Sequence, residues 1–154
     1  MNTLYFLVPG NPQGKERPRF TRNGHIVYTP STTVAYEKLI RTFARRAMPE
    51  NWDPNGAYQV RIQAFFEIPK SWPKWRQEAA AGGFIPHTSR PDGDNITKAV
   101  CDALNGLVWA DDGKAYHTET VKLYTDKEPC VEVTVWYEPI FTREDWLKVK
   151  GEDK

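Results

Sequence analysis

The sequence is poor in the residues that build disulfide scaffolds and zinc sites: its 154 residues include two cysteines and three histidines. Cys101 and Cys130 fall in different segments, so no disulfide framework is implied and a reduced, cytoplasmic protein is the simplest reading. His25, His87 and His117 have no cysteine or second histidine at ligand spacing, which removes zinc. Nucleophilic Ser/His/Asp or Cys/His arrangements have no support, and Cys101 reads as a small filler on a helix flank. No apolar run approaches membrane length, so no membrane partner is expected. "MNTLYFLVPG" also lacks the basic start and long apolar stretch of a secretory signal. No internal repeat or low-complexity segment is found.

What is present suits one domain with one core: 40% of residues are hydrophobic and 13% aromatic. The net charge of +1 conceals a division. Between Lys15 and Arg46 there are eight Lys/Arg against Glu16 and Glu37, a balance of +6. Between Asp92 and Asp112 there are five Asp against Lys98, a balance of −4. Patchy surface charge is the bland reading. A phosphate-handling enzyme is the sharper one, with a basic surface for a polyanion and acids for a cation at the reacting phosphate.

Periodicity predicts an α+β domain with one mixed sheet and helices packed against it. "TLYFLV" reads as a strand, and "GNPQGKERPRF" as a Pro/Gly-punctuated basic loop. "FTRNGHIVYT" reads as a hairpin turning at Asn23-Gly24, where both residues tolerate positive φ. A helix follows, with Thr29 as N-cap and Tyr36, Leu39, Ile40, Phe43 and Ala47 at helical spacing; Arg41 and Arg45 share its solvent side. "YQVRIQAFFEI" alternates as a central strand. Ser71 is the expected cap of a short helix that ends at Gly82-Gly83. "KAYHTETVKLYT" and "CVEVTVWY" read as a hairpin through "DKEP". Residues 1–138 thus form one domain, and 139–154 a short helix, capped by Thr142, with a polar tail. Trp72 and Trp75, beside Lys70 and Lys74, could stack on bases, although packing explains them equally well.

"RPDGDNITKAVCDALNGLVWADD" concentrates the chemistry. Ile96, Ala99, Val100, Ala103, Leu104 and Leu107 form an apolar helical stripe, with Asp94 or Asn95 as natural N-cap and Gly106 as stop. Asp94, Lys98 and Asp102 then face outward, one turn apart. A cap plus a Lys98–Asp102 ion pair accounts for two acids and leaves Asp92 and Asp111-Asp112 unexplained. Two carboxylates about 4 Å apart repel by roughly 4 kcal/mol at an effective dielectric near 20, and a cation relieves that repulsion. If the chain folds back after Leu107, Asp111 or Asp112 approaches Asp92 and Asp94; two or three such carboxylates suit Mg²⁺. A calcium loop fails, because Thr97 stands where glycine is needed and Ala103 where the bidentate Glu belongs.

The order D-x-D-N-x-x-K, D-A-L, then D-D resembles the RusA family of Holliday junction resolvases, and "PGNPQGKERPRFTRNGHIVYTP" is similar to the N-terminal segment of its phage-borne members. The resemblance implies a RusA-like fold and a Mg²⁺-dependent, homodimeric endonuclease that cuts four-way DNA junctions. It implies Asp92, Asp94 and Asp112 as catalytic, metal-holding acids and Lys98 as the functional lysine. Lys15, Arg17, Arg19, Arg22 and Arg41 are the candidates for DNA phosphates. Two alternatives stay in competition: a nuclease preferring flaps or forks, and a branched-DNA-binding protein that does not cut.

Overall fold

Leu4, Phe6 and Val8 are buried while Tyr5 and Leu7 face solvent, so strand β1 (Thr3–Pro9) already has a core side and an open side. The structure, a computed structural model, describes residues 3–151. After β1 come two short strands, β2 (Arg19–Phe20) and β3 (Val27–Tyr28), paired only with each other. Helix α1 (Ser31–Ala47), strand β4 (Ala57–Glu67) and helices α2 (Lys74–Ala81) and α3 (Gly93–Leu104) follow. Strands β5 (Ala115–Thr125) and β6 (Cys130–Glu138) and helix α4 (Arg143–Lys150) complete the order. The expected α+β architecture with one mixed sheet is what forms.

The main sheet runs β1-β6-β4-β5, with β4 and β5 parallel and the other pairs antiparallel. The expected β5–β6 hairpin does not occur, because β4 lies between them. Side-chain rows explain the order. Val60, Ile62 and Ala64 of β4 stand opposite Val135, Val133 and Val131 of β6, and all six are buried. β5 carries no fully buried residue and occupies the edge. Because β4 and β5 are parallel, the chain must cross from the end of one to the start of the other. Residues 68–114 make that crossing and carry α2 and α3.

Helices α1 and α3 cover the buried face. α1 contributes Tyr36, Ile40 and Ala44; α3 contributes Ile96, Ala99, Val100, Ala103 and Leu104. Each large aliphatic side chain buried in this way contributes roughly 1.5–3 kcal/mol. Pro30 and Pro73 precede α1 and α2 without a side-chain cap bond, so Thr29 and Ser71 are not the caps expected of them. Leu39, expected on the buried side of α1, is exposed. Thr142 does cap α4, through a reciprocal capping box with Asp145. The polar tail beyond Gly151 lies outside the described residues. No helix is long and apolar enough to cross a membrane among the described residues.

The segment entering α3 is tied to β5. The His87 ring stacks on Phe66, centroids 3.7 Å apart, and packs against Tyr124. The His87 backbone N–H donates to the Lys122 carbonyl at 3.2 Å. Lys122 Nζ donates back to the carbonyls of Ser89 and Pro91 at 2.6 and 2.9 Å. Burial, then the Lys122 charge, holds the His87 pKa below its usual value. An unfolded His87 takes up its proton near pH 6.5, before the folded one does, so stability falls as pH drops below that point. Thermal unfolding at pH 5 and pH 7.5 should show a lower midpoint in acid, and His87→Phe should shrink the difference. An equal difference in wild type and variant would remove His87 as the source.

Candidate nucleic-acid interface and acid site

Helix α3 begins one residue after Asp92, whose φ of −67° and ψ of 149° mark it as the N-cap residue. Its side chain makes no capping hydrogen bond, and Asp94 lies inside the first turn, so the cap expected at Asp94 or Asn95 falls two residues earlier. Both carboxylates are exposed, and neither enters a salt bridge among the described residues. The positive end of the helix dipole favours acids here by about 0.3–1 kcal/mol each.

Asp112 opens a single 3₁₀ turn, Asp112–Lys114, immediately before β5. The helix runs against β5 so that its first turns meet the middle of the strand: Thr97 Oγ1 and Thr120 Oγ1 are 2.6 Å apart. Thr120 lies five residues beyond Ala115, about 17 Å of extended strand. Asp112, three residues before Ala115, lies toward the starting end of that strand. Burial, followed by the charges of Asp112 and Asp102, pushes the Cys101 thiol up to about 12. Asp94 and Cys101 are separated by roughly 10 Å of helix rise. Among the described residues no three His, Cys, Asp or Glu are grouped closely enough to hold a metal ion. Asp92 and Asp94 stand together at the start of α3, and Asp112 stands just before β5. Lys98 is exposed and one turn beyond Asp94. The donors are all carboxylate oxygens, which suits a hard cation rather than zinc.

The basic residues divide into two groups. Lys15 is bound by its own protein: its ammonium pairs with Asp102 and, at 3.2 Å, with Glu37. Asp102 therefore pairs with Lys15 rather than Lys98. These charges raise the Lys15 pKa, the Asp102 hydrogen bond first. The Lys15 backbone N–H donates to the Asn95 carbonyl at 2.9 Å. At the preceding residue, Gly14, any Cβ would come within 3.0 Å of the Cβ atoms of Asn95 and Pro91, so glycine is what lets the loop lie against α3. Arg41, expected on the solvent side, turns inward. It donates to the carbonyls of Ala103 and Asn105 at 2.8 and 3.0 Å and closes the C-terminal end of α3. Arg17 and Arg22 are exposed and enter no salt bridge among the described residues, while Arg19 makes an exposed pair with Glu16.

Between the loop and the start of α3 lies a groove of about 850 Å³ whose walls include Arg17, Arg19, Arg90, Asp92 and Asn95. Arg90 was missed by the sequence reading, although its place two residues before Asp92 was a usable signal. A second cavity of about 500 Å³, on the open face of the sheet, holds Arg61, Glu119 and Trp136 and none of the five aspartates of the acidic segment.

The division of labour is measurable. Arg41→Ala should lower stability by roughly 1–2 kcal/mol by stranding carbonyls, with the salt dependence of DNA binding unchanged. Arg17→Ala should keep the melting temperature and lower the slope of log affinity against log salt by about 0.9, the release of one phosphate contact. Reversed outcomes would exchange the two roles.

Residues 9–136 match the family model described as Endodeoxyribonuclease RusA. An uncharacterized protein of Bacillus subtilis (strain 168), YqaN, is 32% identical over 139 residues, covering 88% of this chain and 96% of that protein. The family match runs from the end of β1 into β6 and takes in the basic groove and all five aspartates of the acidic segment. The chain belongs to the RusA endodeoxyribonuclease family, hydrolases that act on DNA.

Proposed function

We propose that the protein is a Mg²⁺-dependent, structure-selective endonuclease that resolves four-way DNA junctions by paired symmetric nicks in recombination or repair. The observation that carries this reading is the position of Asp92, which lines the same groove as Arg17, Arg19 and Arg90. A phosphodiester held by those guanidinium groups would lie beside the carboxylates at the start of α3.

Each residue then has a chemical task. Arg17 and Arg90 grip backbone phosphates through charge-assisted hydrogen bonds. Asp92 and Asp94 would hold Mg²⁺, with Asp112 as the further candidate ligand. Mg²⁺, when bound, supplies a water of lowered pKa and neutralises phosphate charge. Lys98 stabilises negative charge that develops on the phosphoryl oxygens. A four-way junction has near two-fold symmetry and needs two cuts, so a homodimer with two equivalent sites fits the task. A protein that only bound DNA would gain nothing from exposed carboxylates in its phosphate groove, since they repel the ligand.

Incubating the full chain with a synthetic mobile four-way junction, with Mg²⁺ or with EDTA, tests the reading. Paired symmetric nicks should appear with Mg²⁺ alone. Asp92→Asn and Asp94→Asn should abolish them while junction binding stays equal or tightens, and Asp112→Asn decides whether that residue joins the ligand set. Lys98→Ala should slow single-turnover cleavage by roughly 10²–10³-fold, the loss typical of a charge-stabilising donor, with little change in binding. Tight junction binding without cleavage under any divalent metal would overturn the proposal in favour of a non-cutting binder; faster cleavage of flaps or forks would replace the substrate.

A further inference from the structure

The ribbon formed by β2 and β3 is the part of the nuclease that the core leaves unused. It pairs only with itself, through Arg19 opposite Tyr28 and Phe20 opposite Val27. Its apolar side chains are turned out: Phe20 is 65% exposed, Ile26 62%, Val27 57% and Tyr28 46%. Apolar exposure of this density on one small element marks a surface that a ligand covers.

The ribbon is nevertheless built as a defined finger. Thr21 N–H donates to the Ile26 carbonyl and Gly24 N–H to the Thr21 carbonyl, both at 2.8 Å. The Asn23 side-chain oxygen accepts from the Thr21 hydroxyl at 2.6 Å and from the His25 N–H at 3.4 Å. Gly24 supplies the positive φ, +72°, that closes the turn, while Asn23, which also tolerates that region, keeps negative φ. These bonds hold the turn without help from the core.

Charge identifies what covers it. Arg19 belongs both to β2 and to the wall of the groove that holds Asp92, and Arg22 stands at the turn. The finger therefore continues the basic groove outward, and its occupant is the same polyanion. Alternation along a strand puts Phe20 and Val27 on one face of the ribbon and Arg19 and Tyr28 on the other. A guanidinium beside an aromatic ring on one face, and an exposed aromatic on the other, suits unstacked bases next to phosphates. Intact duplex keeps its bases stacked; a branch point does not.

We infer that the β2–β3 ribbon is a wedge that enters the branch point of the DNA, where Phe20 stacks on an unpaired base and makes the enzyme selective for branched over linear substrates. The inference rests on the proposed function and adds the element that recognises the branch.

The test compares wild type, Phe20→Ala and Phe20→Trp as full chains in EDTA. Fluorescence anisotropy gives affinities for a four-way junction and for linear duplex of the same sequence, and permanganate oxidation reports unstacked thymines at the crossover. Phe20→Ala should lose about tenfold in junction affinity, the scale of one base–aromatic stack, with duplex affinity unchanged and the wild type's extra thymine reactivity gone. Phe20→Trp should retain both. Equal loss toward junction and duplex would make the ribbon a backbone grip, and unchanged selectivity in Phe20→Ala would remove it from recognition; either overturns the inference. A wild type that does not prefer branched DNA overturns the proposed function itself, which is a different result from a selective wild type matched by a selective Phe20→Ala.

Discussion

The parallel pairing of β4 with β5 is the constraint from which the rest of this molecule follows. Antiparallel neighbours can be joined by a tight turn, but parallel ones oblige the chain to travel the length of the sheet between them. Here that journey carries α3 across the buried face, with its first turns against the middle of β5 and its far end beneath the guanidinium of Arg41. The carboxylates of Asp92 and Asp94 are thereby delivered to a rim of the domain on a backbone fixed by five buried side chains. A helix held so firmly can display exposed acids, because its stability comes from the opposite face.

Electrostatics then separates cations that hold the fold from cations that enter no salt bridge among the described residues. Lys15 is committed to Asp102 and Glu37, and Arg41 to main-chain carbonyls. These contacts fix the loop and the helix that form the two walls of the groove. Arg17, Arg22 and Arg90 stand outside the salt bridges found among the described residues. Without the first group Arg17 would sit on a loop with no fixed distance to Asp92. Gly14 belongs to the same construction, since the loop reaches α3 only because that position has no side chain.

What could be read beforehand followed the range of the interactions. The alternation of β1, β4 and β6 and the stripe of α3 are local patterns, and they located the elements and the core. The capping box at Thr142 is local too, and it formed as expected. The β5–β6 hairpin was misread because "DKEP" is a credible turn, whereas the valine row of β6 answers to β4, more than sixty residues earlier. The inward turn of Arg41 and the pairing of Lys15 with Asp102 were not legible for the same cause, their partners lying 62 and 87 residues away. The acids were identified by order and spacing along the chain, which does not give their arrangement in space: Asp92 and Asp94 share the start of α3, while Asp112 opens the 3₁₀ turn before β5. The burial of His87 was not legible because the rings that enclose it, Phe66 and Tyr124, come from two strands remote in sequence.

Two kinds of rigidity meet at this site, and they suit different tasks. On the proposed function, hydrolysis of a phosphodiester tolerates little error in position, and Asp92, Asp94 and Lys98 stand on a helix anchored by core packing. Recognition of a branched duplex requires reaching past the domain into the substrate, where no core is available. On the inference drawn above, the β2–β3 ribbon answers that requirement with its own hydrogen bonds: Thr21 and Ile26 close the turn while the apolar side chains stay uncovered. Arg19 joins the two regimes, since it begins the ribbon and also lines the groove beside Asp92. On the proposed reading, whatever the ribbon engages is placed at a fixed reach from the carboxylates, and one continuous basic surface would serve both selection of substrate and position of cleavage.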